Sequence, residues 1–385
     1  MKTVYYEPAG RLQVFDKQFL FHPPDGYEFT TKRTSWDRAI SPAVNNDRLF
    51  FLVNLNILRK TVPVHLVKAY LEKLKTIPGD VALTFSRNHL IFRNEPWVIH
   101  VEWPTSLAGF SYTYFRACKK IIERVLNSYW CKGILTWSEI AKESIERNLQ
   151  LTSSEVHVVP LSVPAKDFVK SYDGRRIRLL FVGSANIPGE FELKGANVLL
   201  DAFIQLDRRY SNLELVIRSD VSADFRRKCQ KHSNIKLIEG IVGWERLEEE
   251  FKKADIFLFP GHHTPFNTIL DAMSYELPAI VTDVYGNPEL VQNGKTGFLI
   301  QRSKAVPYFH SNLVPDGVST KFKRAIRTPD EAVVRSFVEK AGLLIEDEKL
   351  RRSMGKAARW EVEEGRFSLT NRNIILKRVL DKATS

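Results

Sequence analysis

Phe257-Leu258-Phe259-Pro260, Phe266-Asn267-Thr268-Ile269-Leu270-Asp271-Ala272-Met273 and Leu277-Pro278-Ala279-Ile280-Val281-Thr282-Asp283 follow one another closely, and their reading decides the fold. The first block is a short apolar run stopped by proline, the mark of a strand buried on both faces. The second opens with small polar residues and continues with helical spacing. The third is again an apolar strand, entered through a proline break. Strand, turn, helix, strand is the unit of a parallel α/β sheet. The first turn of such a helix leaves backbone N–H groups free at the positive end of the dipole, so it can hold an anion such as a diphosphate. Asp271, about one turn further on, is placed to accept hydrogen bonds from a sugar's hydroxyls.

Outward from this stretch the same alternation continues in both directions. Upstream, apolar runs at Arg178 to Val182, Leu213 to Ile217 and Ile235 to Glu239 alternate with helices at Ala196 to Leu206, Ala223 to His232 and Trp244 to Lys253. The first half repeats the pattern. Strands are expected at Arg48 to Leu55, Asp80 to Thr84, Pro96 to Val101, Lys132 to Thr136 and Val156 to Val159. Helices are expected at Pro63 to Lys75, Phe115 to Ser128 and Ser138 to Asn148, the last capped by Ser138. Between Pro164 and Arg178 the pattern loosens. The chain of 385 residues therefore reads as two domains, with boundaries at 1–168 and 169–365 and a tail at 366–385.

Composition narrows the function classes. Lys and Arg number 57 against 45 Asp and Glu, giving a formal charge of +12 and favouring an anionic partner. The basic residues are dispersed and no nucleic-acid module is recognisable, so nucleic acid is not expected. Cys118, Cys131 and Cys229 are an odd, widely spaced set without a CxxC pair, which argues against a disulfide scaffold or zinc site and for a reducing, cytoplasmic compartment. No secretory leader or run of ~20 apolar residues is expected to cross a membrane.

The motifs together resemble glycosyltransferase family 4. Phe181-Val182-Gly183, then Lys194-Gly195 and Leu199-Leu200-Asp201-Ala202-Phe203, match that family's first strand and basic loop. The later block resembles its donor-site signature, in which two acidic residues flank seven others and the second precedes Ala-Met. His263 stands here at the first acidic position, beside His262, and Asp271 at the second, where Glu is usual. Ser184 stands where the family has an arginine, a charge that Arg218 is placed to restore. The resemblance runs from about Pro96 to the C-terminus and is densest from Leu180 to Ile300.

What it implies is an α/β protein of two doubly wound Rossmann-like domains facing across a cleft, the GT-B arrangement, with the tail crossing back to the first domain. The implied activity is retaining transfer of a hexose-type sugar from a nucleotide diphosphate to a glycan, glycolipid or other hydroxyl acceptor. Lys194 would pair with the diphosphate, the amides at Asn267 and Thr268 would hold phosphate, and Asp271 would hold the ribose. His263 would contact the transferred sugar. Glu289, in Tyr285-Gly286-Asn287-Pro288-Glu289, reads as a helix-start cap or a donor contact. Apart from the resemblance, His100 and Glu102 stand on alternate positions at a strand end before Trp103-Pro104 and read either as cleft-facing catalytic residues or as a strand-end salt link. No metal and no cofactor beyond the donor substrate are expected. An epimerase or phosphorylase on the same fold, or a catalytically impaired sugar-nucleotide-binding protein, are the competing readings.

One segment stands apart. Ser303 to Arg327 interleaves Lys304, Lys321, Lys323, Arg324 and Arg327 with Tyr308, Phe309 and Phe322. This suits a basic, aromatic flap meeting an acceptor or the anionic inner face of a membrane; the competing reading is an insertion packed on the surface.

Overall fold

The computed structural model describes residues 1–8, 12, 14–31, 64–71, 73, 80–172, 176–183, 190–317 and 319–385. The strand expected at Arg48 to Leu55 lies outside these residues, as does Ser184. The described chain packs into two units. The first holds residues 1–160, 311–314 and 370–385, and the second 161–310 and 315–369. The boundary expected at 168/169 lies a few residues beyond this division.

In the first unit six parallel strands run β1 Lys2–Pro8, β2 Tyr27–Thr30, β3 Val81–Arg87, β4 Trp97–His100, β5 Cys131–Thr136 and β6 Val156–Val158, in the order β2-β1-β3-β4-β5-β6. The two outer strands at the amino terminus have no counterpart in the sequence reading. Apolar side chains cover both faces: Trp97, Ile99 and Ile134 with the helix Tyr112–Leu126 on one, Val4, Tyr6, Leu83 and Phe85 with Leu376, Val379 and Leu380 on the other. The last three come from the helix Leu369–Ala383. Its Asp381 accepts from the Tyr27 hydroxyl at 2.8 Å, closing the first unit with chain from the far end of the sequence.

The second unit repeats the plan: β7 Ile177–Val182, β8 Leu213–Arg218, β9 Ile235–Ile238, β10 Ile256–Phe259, β11 Ala279–Thr282 and β12 Gly297–Ile300, in the order β12-β11-β10-β7-β8-β9. All pair in parallel. Every residue of β10 and β11 is buried, as a strand sandwiched between helix layers must be. Strand order reverses between β7 and β10, whose register aligns Ile256 with Leu179 and Phe257 with Leu180. Such a reversal opens a crevice beyond the carboxyl ends of the strands, where ligands bind in doubly wound sheets.

The segment from Ser303 to Arg327 corrects one expectation. Its lysines and arginines are exposed, but Tyr308 and Phe322 are buried and pack as rings 6.1 Å apart, nearly perpendicular. Tyr285 donates its hydroxyl to the Tyr308 carbonyl at 2.8 Å. Of the three rings that read as a lipid-facing set, Tyr308 and Phe322 belong to a small satellite core, where ring area is removed from water, and Phe309 is half-buried with its ring edge-on to Tyr285.

Candidate active site

The Lys-Gly turn and the end of β10 are held together by backbone. The His262 amide donates to the Leu193 carbonyl at 2.8 Å. Gly195, at φ +75°, caps the helix Ala196–Asp207 and lies so near β10 that a Cβ there would fall 1.9 Å from the Pro260 carbonyl oxygen. Only glycine fits this left-handed, backbone-to-backbone approach. The result brings Lys194 Nζ to 3.3 Å from His263 Nε2.

An ammonium has no acceptor capacity, so Nε2 must accept and the ring proton resides on Nδ1. Burial first, and the Lys194 charge second, hold the His263 pKa well below its ordinary value, so the imidazole is neutral. Its ring lies near the Leu193 carbonyl, yet Nδ1 is buried with no hydrogen-bond partner among the described residues. A ring edge of Phe259, 5.2 Å away, fixes the imidazole's plane. His262 faces elsewhere: it is buried, its Nδ1 lies 2.8 Å from the Tyr308 hydroxyl, and its ring packs on Tyr308 and Phe322. Of the adjacent pair, His263 alone meets Lys194.

Past His263, Thr264 ties two loops, donating to the Val284 carbonyl at 3.3 Å and accepting from the Gly286 amide at 3.0 Å. The nine-residue helix Phe266–Ser274 follows, with Pro265 at its N-cap and no side-chain cap. The Ile269 amide is bonded to Pro265 at 3.0 Å, while the amides of the first turn, Asn267 and Thr268 among them, have no acceptor within the helix. They present the positive dipole end beside the Lys194–His263 turn.

Asp271 lies further along this helix. Burial raises its pKa to about 7, opposed by the positive charge of Lys166, and among the described residues no hydrogen bond stabilises its ionised form. Lys166 sits over the rings of Trp244 and Tyr275, at 5.0 and 5.5 Å, and Tyr275 donates its hydroxyl to Glu248 at 2.8 Å. Sequence reading missed Lys166: it lies in an unstructured connection far upstream, and nothing local marks it.

The other expected donor residues are placed as follows. Arg218 ends β8, where it pairs with Val182, and its guanidinium donates to the carbonyls of Gly183 and Gly240 at 3.2 and 3.4 Å. It thus binds backbone at the strand ends, and burial lowers its pKa. Glu289 belongs to the short helix Asn287–Leu290, and its carbonyl accepts from Arg366 at 2.8 Å.

His100 and Glu102 stand in the first unit, at the carboxyl end of β4. His100 is buried against Trp137, ring centroids 4.4 Å apart, and neither ring nitrogen has a partner among the described residues. Burial, then the charge of Arg87, pushes its pKa down to about 3, so it is a neutral group. Glu102 accepts from Asn88 Nδ2 at 3.0 Å and donates its amide to Asn88 Oδ1 at 3.0 Å; burial raises its carboxyl pKa. Asn88 and Arg87, with Asp16 at 2.9 Å from Arg87, complete this cluster. The sequence reading did not single them out, because each is an ordinary polar residue until strand order brings the ends of β3 and β4 together.

Comparison with known proteins gathers on the same stretch. Residues 176–310 match the family model described as Glycosyl transferases group 1, which covers the whole Lys194–Asp271 region. The D-inositol 3-phosphate glycosyltransferase of Streptomyces avermitilis is 30% identical over 196 residues, 46% of this chain and 42% of that protein. The capsular polysaccharide biosynthesis glycosyltransferase CapM of Staphylococcus aureus is 27% identical over 114 residues, 29% of this chain and 22% of that protein. The chain thus matches less than half the length of these curated relatives. Among solved structures, Anabaena Alr3699/HepE in complex with UDP and glucose aligns over 99% of both chains at a TM-score of 0.58 and 12% identity. The fold is GT-B. Sucrose-phosphate synthase from Thermosynechococcus elongatus shares it over 84% of this chain and 78% of its own, at a TM-score of 0.56 and 13% identity.

Proposed function

We propose that the chain is a glycosyltransferase that moves a sugar from a nucleoside diphosphate to a hydroxyl of a glycan or glycolipid, with retention at the anomeric carbon. The observation that carries this reading is the pairing of Lys194 with His263 beside the uncapped start of the helix Phe266–Ser274, at the strand-order reversal of the second sheet. In the reaction the bond between the anomeric carbon and the diphosphate oxygen breaks and a bond to the acceptor oxygen forms. The acceptor proton passes to the departing diphosphate, which serves as the base. The protein's task is to stabilise charge on that leaving group: the Lys194 ammonium and the first-turn amides supply fixed positive ends without reorganisation. Asp271, in its ionised form, accepts from the ribose hydroxyls.

His263 changes one detail. Where a carboxylate would accept from sugar hydroxyls and carry a fixed charge, the neutral imidazole accepts from Lys194 at Nε2 and keeps Nδ1 buried. It also leaves no negative charge beside the forming diphosphate. A sugar-nucleotide-binding protein without transfer is the second reading, favoured by that same substitution of His263 for an acidic residue.

The test is binding of nucleoside diphosphates and of their nucleosides to Lys194→Ala. A charge-assisted hydrogen bond is worth about 1.5–3 kcal/mol, or roughly 10- to 150-fold in affinity. Loss of that order for the diphosphate, with nucleoside binding unchanged, is expected; equal diphosphate affinity in variant and wild type would reject the reading. Product analysis with purified protein then separates transfer from binding alone.

A further inference from the structure

The helix Tyr112–Leu126 of the first unit buries Phe115, Ile122 and Leu126 on one side. The opposite side carries Thr113, Arg116, Ala117, Lys120, Ile121 and Arg124, all exposed. Arg116, Lys120 and Arg124 recur every fourth residue and so form one ridge, with Ala117 and Ile121 beside it. Among the described residues none of these three cations takes part in an ion pair. The helix's acid, Glu123, stands on the flank, paired with Lys119 at 3.6 Å. Ile121, 48% exposed, lies within the cationic face, and aromatic residues bracket it: Phe110 just before the helix, 47% exposed, and Tyr129 just after it, 76% exposed, with Lys132 Nζ 3.9 Å from the Tyr129 ring centroid.

A solvated helix face mixes both signs of charge and hides its branched apolar residues. This one has a single sign, an exposed isoleucine, and rings at both ends. Among the described residues no helix is long and apolar enough to cross a membrane. We infer that the face built by Arg116, Lys120, Ile121 and Arg124 docks the first unit on an anionic lipid surface, with its cations on headgroup phosphates and Ile121 entering the interface. Charge complementarity selects this occupant: a one-sign cationic face with isolated apolar side chains matches a phosphate-bearing bilayer, which offers a continuous negative plane. The surface lies outside the Ser303 to Arg327 segment, where Tyr308 and Phe322 are buried. It is also independent of the donor chemistry proposed above, so the two ideas fail separately.

The experiment is co-sedimentation of the full chain with phosphatidylglycerol–phosphatidylcholine vesicles, at low and high salt. Wild type should pellet at low salt and be released at high salt. Replacing Arg116, Lys120 and Arg124 together with Gln should weaken partitioning by about 100-fold, since each basic residue near such a surface contributes about fivefold. Lys120→Gln alone, which puts the fold at least risk, should cost about fivefold, and Ile121→Ser should weaken binding at low salt. Replacing Lys321, Lys323 and Arg324 with Gln should change it far less. Nucleoside diphosphate binding should be the same in all these variants. Wild type remaining in the supernatant, equal binding to neutral vesicles, undiminished binding by the helix variants, or loss confined to the Lys321 set would each overturn the inference.

Discussion

At the scale of single residues the site is decided by which of two adjacent histidines meets the lysine. His263 Nε2 faces the Lys194 ammonium, while His262 closes a ring cluster with Tyr308 and Phe322. Their substitutions should therefore separate cleanly. His263→Ala should lower turnover while nucleoside diphosphate affinity stays within a few-fold, because the lysine and amides remain. His262→Ala should leave turnover per folded molecule unchanged and destabilise the protein by about 1–3 kcal/mol, through the lost ring packing and the stranded Tyr308 hydroxyl. Urea melts and initial rates on both variants measure the split; matching losses of turnover at the two positions would refute the assignment. Asp271 gives a pH test. Its carboxyl ordinarily titrates near 3.8 but is held at about 7 in the folded chain. Between those values the folded state carries the extra proton, so this group makes stability fall as pH rises. The ionised form that accepts two ribose hydroxyls becomes dominant only above about pH 7. The preference for a nucleoside diphosphate over its 2′,3′-dideoxy analogue should therefore grow between about pH 6 and pH 8, a ratio from which the diphosphate's own titration cancels. Asp271→Asn should flatten the ratio; a flat ratio in wild type would remove Asp271 from the ribose site.

At the scale of elements, the glycine after the lysine matters as much as the lysine. Gly195 lets the start of the helix Ala196–Asp207 press on the Pro260 carbonyl, which is what aims Lys194 at the end of β10. Gly195→Ala places a Cβ inside that carbonyl at a positive φ, so the turn must move away. Strain at such a position costs about 1–3 kcal/mol, and diphosphate affinity should drop with it, although no charge is removed. A calorimetric titration that finds Gly195→Ala unstable but binding normally would show that Lys194 reaches its ligand without the turn. This also marks what was legible in the sequence. Apolar runs fixed by burial on both faces, such as Phe257–Phe259 and Ala279–Thr282, announced the second sheet, and Ser138 announced its helix by its capping geometry. The strands Lys2–Pro8 and Tyr27–Thr30 were missed because tyrosines, acids and a proline break their apolar pattern, which only pairing with β3 makes sense of. Lys166 and the ring cluster around Tyr308 were invisible for a related reason: their roles come from contacts far apart in sequence, where spacing carries no signal.

At the scale of the whole chain, each unit has its own parallel sheet, its own order reversal and its own cluster of buried polar groups. The first unit gathers His100, Glu102, Asn88 and Arg87. The second gathers Lys194, His263 and the uncapped helix start. If the diphosphate is held by the second set alone, ligand protection must be written on one unit. Hydrogen exchange with and without a nucleoside diphosphate should slow the amides of residues 193–195 and 261–271, where the turn and first helical turn close on phosphate. Amides in the sheet of the first unit should change little, because ligand stabilises only the cooperative block it touches. The protection should persist in EDTA, since a lysine and backbone amides, not a bridging ion, neutralise the phosphates. Protection that vanishes with chelator and returns with Mg²⁺ would mean that the cradle is incomplete without a metal. Protection centred on residues 86–102 would move the donor site to the first unit and overturn the assignment of Lys194.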